Sequence, residues 1–372
     1  MTPQLGRLAL DNHMWLFILL TQLLALSTTG ILWSYIRPNR LTRKMLLITL
    51  VFIISNAFLI YGLSEFWRER FRIYLIFSIL QGFMIYAAVI TLTLLMISQK
   101  ILKRQFKVSA IKFARHLGLI IYLGIVSLAV FNSYSPVVKR LTVVTDKPLA
   151  QPLTIALVSD THLGKWFGNR QIDNLVALVD DSQADVVVLA GDIMDDTTIY
   201  YDKTDMRSHL SKLKAPLGVY AVLGNHDYLG YEAAIAEAVK GAGITVLDNQ
   251  SVLLDNAVWL VGRSDDLDTS RLTAQQLLTQ VDSDKPIIFL EHRPSKIDEI
   301  SALPIDLHLS GHTHGGQIFP LTILMDGFLP LNYGSKQVNG TEFLVSSGFG
   351  IGSVPFRLGT RSEIWIVTLQ PK

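Results

Sequence analysis

Four long runs without a charged side chain occupy the first third of the chain: Met14–Ile36, Met45–Leu63, Ile73–Gln99 and Leu117–Tyr134. Each is close to the roughly 20 residues that a helix needs to cross hydrocarbon. Trp15, Trp33, Tyr35, Tyr61 and Tyr134 sit near their ends, where amphipathic aromatics prefer the membrane interface. Four such runs in succession argue against a buried soluble bundle, and three further runs after the first argue against a cleaved signal peptide. No ionisable residue lies mid-run, so the spans read as an anchor rather than a transport path. Gln22, Asn56 and Gln81 read as interhelical contacts.

After Pro136 the period changes. Short β-branched runs recur at Thr154–Val158, Val186–Leu189, Val219–Leu223, Val258–Val261, Ile287–Leu290, Leu307–Leu309, Phe343–Val345 and Ile364–Leu369. Helix-like stretches at Gln171–Asp181, Glu232–Lys240 and Ala274–Val281 alternate with them, and Val137–Val144 reads as an opening edge strand. This alternation predicts an α/β domain with helices covering sheet faces. The expected organisation is a four-span membrane anchor over 1–135 and an α/β domain over 136–372.

Composition sharpens this picture at three points. Only 17% of the 372 residues are charged, against roughly 25% in a typical soluble domain. Cysteine is absent, so disulfides, thiolate metal sites and thiol nucleophiles are excluded, and any metal must be held by His, Asp, Glu or Asn. The net charge of +2 argues neither for nor against a nucleic-acid partner, so no specific nucleic-acid partner is indicated. The first and third interspan loops hold ten basic residues, among them Arg37, Arg40, Lys103, Arg104 and Lys107, against six on the other side, where Glu65 and Glu69 intervene. The positive-inside rule then puts those loops in the cytoplasm and the α/β domain outside it.

Polar motifs follow five of the predicted strands: Asp160 and His162; Gly191 and Asp192; Gly224, Asn225, His226 and Asp227; Glu291 and His292; Gly311, His312, Thr313 and His314. In open α/β sheets, ligand sites form beyond the carboxyl ends of strands, so five motifs can converge on one point. Singly each is weak: Gly-Asp is usually a turn, and Asn-His-Asp is a good helix cap. Jointly they form a donor set suited to divalent ions such as Mn, Fe, Zn or Mg. Two ions about 3.5–4 Å apart need a bridging anionic oxygen, which an Asp carboxylate supplies, and a shared hydroxide is the expected nucleophile. His308, inside an apolar run, reads as a satisfied strand residue.

S-D-T-H-L-G (159–164), A-G-D (190–192), G-N-H-D (224–227), E-H-R-P (291–294) and S-G-H-T-H-G-G-Q (310–317) resemble the calcineurin-like metallophosphoesterase superfamily. The long final motif is similar to its bacterial membrane-associated branch. The resemblance implies a four-layer α/β/β/α sandwich. It implies that Asp160, His162 and His314 hold one metal, that Asn225, His292 and His312 hold the other, and that Asp192 bridges them. It further implies that His226 faces the substrate and protonates the leaving oxygen, with Asp227 orienting it or serving as a plain cap. Thr161 and Arg293 are small departures from the pattern, and neither removes a ligand.

The expected activity is hydrolysis of phosphoric esters at a bacterial inner (cytoplasmic) membrane. Trp166, Phe167 and the apolar segment 318–331 follow metal motifs and are candidates for a greasy rim that admits a lipid-linked or nucleotide-lipid phosphoester. Arg357 reads as an anion contact or a partner of Glu363. The competing class is a non-catalytic metal-binding sensor or scaffold. A degenerate scaffold should have lost ligands, and here every expected position is filled.

Overall fold

The computed structural model describes the chain apart from residues 1–3, 65–67, 103–107 and 230. Glu65, Lys103, Arg104 and Lys107, which enter the count of loop charges, therefore lie outside the described residues. The chain divides into two compact units, Met1–Ala129 with Ser353–Pro355, and Val130–Gly352 with Phe356–Lys372.

The first unit is built from helices α1 (Gln4–Ile36), α2 (Leu41–Ser64), α3 (Arg68–Leu102) and most of α4 (Val108–Tyr134). All four are long and apolar enough to cross a membrane. Their mid-span polar residues pair between helices, as expected where an unpaired amide faces hydrocarbon. Gln22 Nε2 donates to Asn56 Oδ1 at 2.8 Å, and Gln81 Nε2 donates to Ser55 Oγ at 3.0 Å.

The second unit carries twelve strands among its described residues: β1 (Val137–Thr145), β2 (Leu153–Val158), β3 (Val186–Ala190), β4 (Val219–Val222), β5 (Thr245–Val246), β6 (Gln250–Leu254), β7 (Val258–Gly262), β8 (Ile287–Leu290), β9 (Leu307–Ser310), β10 (Gly334–Val338), β11 (Thr341–Val345) and β12 (Glu363–Pro371). They form two six-stranded sheets, ordered β1-β12-β2-β3-β4-β5 and β10-β11-β9-β8-β7-β6. Within the first sheet β2, β3, β4 and β5 are parallel neighbours, and within the second β7, β8, β9 and β11 are. Val137–Val144 does open the domain as an edge strand.

Three apolar layers explain why the inner strands are continuous apolar runs rather than alternating ones. Ile155 and Leu157 of β2, Val186 and Val188 of β3, and Ile288 and Leu290 of β8 fill the space between the sheets. The intervening Ala156, Val158, Val187 and Leu189 face an outer layer with α5 (Asn169–Ser182), α6 (Ile199–Lys203), α7 (Met206–Leu210) and α9 (Glu232–Gly241). Ile287 and Phe289 face a second outer layer with α10 (Ala274–Leu277) and α11 (Ile297–Ile300). The result is the four-layer α/β/β/α sandwich. Helix α5 shows the local logic: Ile172, Leu175 and Val179 recur at helical spacing and are its buried residues. The two remaining helices, α8 (Asn225–Leu229) and α12 (Leu321–Phe328), follow motif residues directly.

Candidate metal centre

Because β2, β3 and β4 are parallel, as are β8 and β9, each polar motif leaves its sheet at the same end. The loops are knitted to one another by backbone bonds. Asp160 N donates to Gly191 O at 3.0 Å, His162 N to Asp192 O at 2.9 Å, and Gly311 N to His292 O at 2.9 Å. Thr161, the departure in the first motif, ties the first loop to the second: its Oγ1 donates to Ile193 O at 2.8 Å. Arg293, the other departure, donates to Asp265 Oδ2 at 3.0 Å.

Five of the seven expected ligands, Asp160, His162, Asp192, His312 and His314, have positive φ between 42° and 74°. Non-glycine residues seldom adopt that region, and such strain gathers where surrounding structure over-determines a functional geometry. The neighbouring glycines allow the close approach. A Cβ at Gly224 would overlap the Asp192 carboxylate, and one at Gly311 would overlap that of Asp160.

The side chains gather into two groups. Ligand atoms of Asp160, His162 and His314 lie within 4.8 Å of one another, and so do those of Asp192, His292 and His312. In the first group His162 Nε2 lies 3.2 Å from His314 Nε2, and His314 Nε2 lies 3.6 Å from Asp160 Oδ1. In the second, His292 Nε2 is surrounded by His312 Nδ1 at 3.2 Å, Asn225 Oδ1 at 3.1 Å and Asp192 Oδ2 at 3.3 Å. The same Asp192 oxygen is 3.7 Å from His162 Nε2 of the first group, so it stands between the two.

His292 Nδ1 meets the Ala190 carbonyl at 2.8 Å, which fixes its N–H on that side and turns the Nε2 lone pair toward the group. An Nε2 lone pair facing an amide oxygen, a carboxylate and another imidazole is repulsive unless a cation or proton sits among them. The donor set therefore fits a divalent metal of intermediate hardness.

The electrostatics of the metal-free chain point the same way. Burial pushes the Asp160 carboxyl up to about 6, against the pull of His292. His292 itself is raised to about 10: burial opposes the charge, but Asp192 and Asp160 outweigh it. Burial, helped by the His292 charge, drops His312 to about 3. A proton held between Asp192 and His292 thus occupies the place that suits a cation.

His226 lies beside the groups, its ring 5.2 Å from that of His162 and its side chain 28% exposed, so it is open to solvent. Its Nδ1 is 2.8 Å from Asp196 Oδ1. Asp227 does not take that position. It is fully buried, and its carboxylate accepts from Ile193 N at 3.1 Å, Met194 N at 3.0 Å and Gly224 N at 2.9 Å. Through these bonds Asp227 joins the second motif loop to the third. Asp196 escaped the sequence reading, although its position four residues after Asp192 in G-D-I-M-D-D was a signal that could have found it.

Glu291 and His308 are also placed outside the metal groups. The buried Glu291 carboxylate pairs with Arg263, with Arg271 at 2.8 Å and with His308 Nε2 at 2.9 Å. Two expectations need correction. Arg357 is wholly buried and cannot meet a substrate anion; its Nη2 donates to Gly350 O at 2.8 Å and Gly348 O at 3.1 Å and lies 3.2 Å from His314 Nδ1. Glu363 accepts instead from Tyr333 and Trp365. Phe167 is likewise buried, because it packs into the core under β2 and stacks on Tyr134, whereas Trp166 beside it stays 37% exposed.

A family model described as calcineurin-like phosphoesterase matches residues 153–316. A protein named as an uncharacterized metallophosphoesterase of Aquifex aeolicus is 33% identical over 246 residues, covering 63% of this chain and 92% of that one. The metallophosphoesterase YkuE of Bacillus subtilis is 31% identical over 224 residues, covering 58% of this chain and 78% of its own length. A Danio rerio protein named as a transmembrane protein with metallophosphoesterase domain is 33% identical over 240 residues, covering 59% of this chain and 53% of that one.

Proposed function

Because this chain belongs to the calcineurin-like metallophosphoesterases, and so is a metal-dependent hydrolase of phosphoric esters that also carries four membrane-type helices, we propose that it is a dinuclear phosphoesterase acting on lipid-linked phosphoesters at the bacterial inner membrane. The observation that carries the dinuclear part is the position of Asp192, whose Oδ2 lies between the two ligand groups. In this reading Asp160, His162 and His314 hold one ion, Asn225, His292 and His312 hold the other, and Asp192 serves both.

The ions, when bound, supply an activated water and positive charge opposite the phosphate. The chain sets the balance of charge. Its ligands bring only the two carboxylates of Asp160 and Asp192, with neutral imidazoles and the neutral Asn225 amide, so the site remains positive and draws an anionic ester. The buried ligands keep competing water out and fix the geometry in advance. His226, held through Nδ1 by Asp196, presents Nε2 as the atom that protonates the leaving oxygen.

The lipid part rests on the chain's own connectivity. The fourth apolar helix ends at Tyr134 and β1 starts at Val137, which leaves the catalytic unit no long tether. The excess of basic residues in the first and third loops supports an extracytoplasmic catalytic domain. An alkaline-phosphatase fusion at Lys372 should be active on that account, and an inactive but expressed fusion would reverse the topology.

The test uses the full chain, purified in detergent and loaded with Mn, against a soluble bis-aryl phosphodiester and fractions of a bacterial lipid extract. Asp192→Ala should lower turnover of either substrate by more than about 100-fold, beyond the range typical for outer partners of ligands. It should also lower bound metal from about two equivalents to one or none. Full metal content and turnover in that variant would sink the dinuclear reading, and hydrolysis confined to the soluble ester would sink the lipid one.

A further inference from the structure

Helix α12 leaves most of its large apolar side chains exposed. Successive residues are about 100° apart on a helix, so Leu321, Leu324 and Phe328 share one stripe and Thr322 and Asp326 share another. The half-buried positions of the helix are Thr322 and Met325, and Asp326 is exposed. Thr322 sits against Gly359, and Asp326 Oδ1 accepts from Asn332 Nδ2 at 3.3 Å, Asn332 being itself buried. The apolar stripe points away: Leu321 is 53%, Leu324 51% and Phe328 81% exposed, and Ile323 beside them 64%. Exposed apolar surface of this extent marks a surface that something covers.

The backbone that carries α12 also receives the end of the fourth span. Phe319 N donates to Leu358 O at 2.6 Å, and Leu358 N donates to Gln317 O at 3.0 Å. One residue away, Arg357 O accepts from Asn132 Nδ2 at 3.2 Å, Ser362 N donates to Asn132 O at 2.8 Å, and the Arg361 guanidinium lies 5.0 Å from the Phe131 ring. Phe131 and Asn132 belong to the last turn of α4. Trp166, 37% exposed, accepts at its carbonyl from Tyr134 Oη at 3.3 Å and has Lys165 Nζ 5.9 Å from its ring. An aromatic beside a basic side chain is the usual dress of a membrane interface.

We propose that α12 lies flat in the lipid interface of the membrane that the chain spans, with the Leu321–Leu324–Phe328 stripe among the upper acyl chains. It forms a second attachment of the catalytic unit, next to the point where the fourth span emerges. Helices of this kind settle about 5–10 Å into the boundary between headgroups and acyl chains. Since only six residues separate His314 from α12, that seat holds the His314 side of the metal site at headgroup level. The proposal rests on the membrane anchoring and not on the substrate reading.

The absence of cysteine makes the test direct. Leu324→Cys, Phe328→Cys and, as a control, Ser283→Cys are each introduced into the full chain and labelled with an environment-sensitive fluorophore. Ser283 is exposed and precedes β8, at the ends of the strands away from the motifs. The proteins are reconstituted into phosphatidylcholine–phosphatidylglycerol vesicles carrying a lipid spin-labelled near its headgroup. The labels at 324 and 328 should shift to the blue and be quenched severalfold more strongly than the label at 283. Quenching equal to that at 283 would place α12 in water and overturn the proposal. A blue shift without quenching would overturn it too, because the stripe would then be covered by protein, either the chain's own spans or a second copy. Neither readout depends on turnover, so a failure here is distinct from a failure of the lipid-substrate reading.

Discussion

His226 and the three aspartates near it have separate tasks that adjacency in sequence conceals. Asp196 holds the His226 ring, Asp192 stands between the ligand groups, and Asp227 satisfies three buried backbone N–H groups. Substitution should separate these tasks. His226→Ala is expected to lower kcat by about 10²–10⁴ with bound metal unchanged, as for a lost general acid. Asp196→Asn should lower kcat less and shift the pH–rate profile, since the ring keeps a weaker partner. Asp227→Ala should act on folding, because three buried donors are left unpaired at about 1–3 kcal/mol each. Thermal denaturation together with metal analysis distinguishes the three, and a stable, inactive Asp227→Ala protein would restore this residue to a role at His226. The seven proposed ligand positions are legible in sequence because each follows one of five strands within a few residues. The facts about Asp196, Arg357 and Phe167 depend on which loops lie side by side, and that is settled only by the packed sheets.

Among elements, the inner strands are legible because both faces of β3 and β8 are buried, which makes each an unbroken apolar run, and β2 and β9 each interrupt theirs with polar residues only at Thr154, His308 and Ser310. The edges are not. β10 reads G-S-K-Q-V and is largely exposed, and β5 has two residues, so neither bears a pattern that distinguishes it from a loop. Helix α12 hides for a different reason: its apolar stripe faces outward, so its segment reads as a greasy run and not as an amphipathic helix. The turns between strand and motif carry their own prediction. At Gly224, the turn after β4 passes the Asp192 carboxylate too closely for any side chain. Gly224→Ala should therefore displace Asp192 and weaken metal uptake at least tenfold in calorimetric titration, while the circular dichroism spectrum stays that of the parent. Unchanged affinity would show that the two loops can separate without disturbing the ligands.

For the whole molecule, metal occupancy, protonation and stability are linked through His292. In the metal-free chain its folded value near 10 exceeds the unfolded value of 6.5. A raised basic group contributes stability that is fully present below the unfolded value and is lost as pH rises through the folded one. Asp227, raised to about 7 by burial and by Asp192, adds a loss of the same sign just below that window. His312, depressed to about 3, titrates below neutrality and does not oppose the trend there. Chelated protein should accordingly lose denaturation midpoint steadily between about pH 7 and pH 10. Metal-loaded protein should not, because a ligand imidazole binds in its neutral form and its proton has already left. Titrating Mn into chelated protein at pH 7.5 in two buffers of different ionisation enthalpy should reveal release of close to one proton per chain. Metal binding without proton release, or a midpoint in the chelated protein that is flat across the alkaline range, would mean that His292 is already neutral in the folded chain and that the pair with Asp192 does not hold the site's place for a cation.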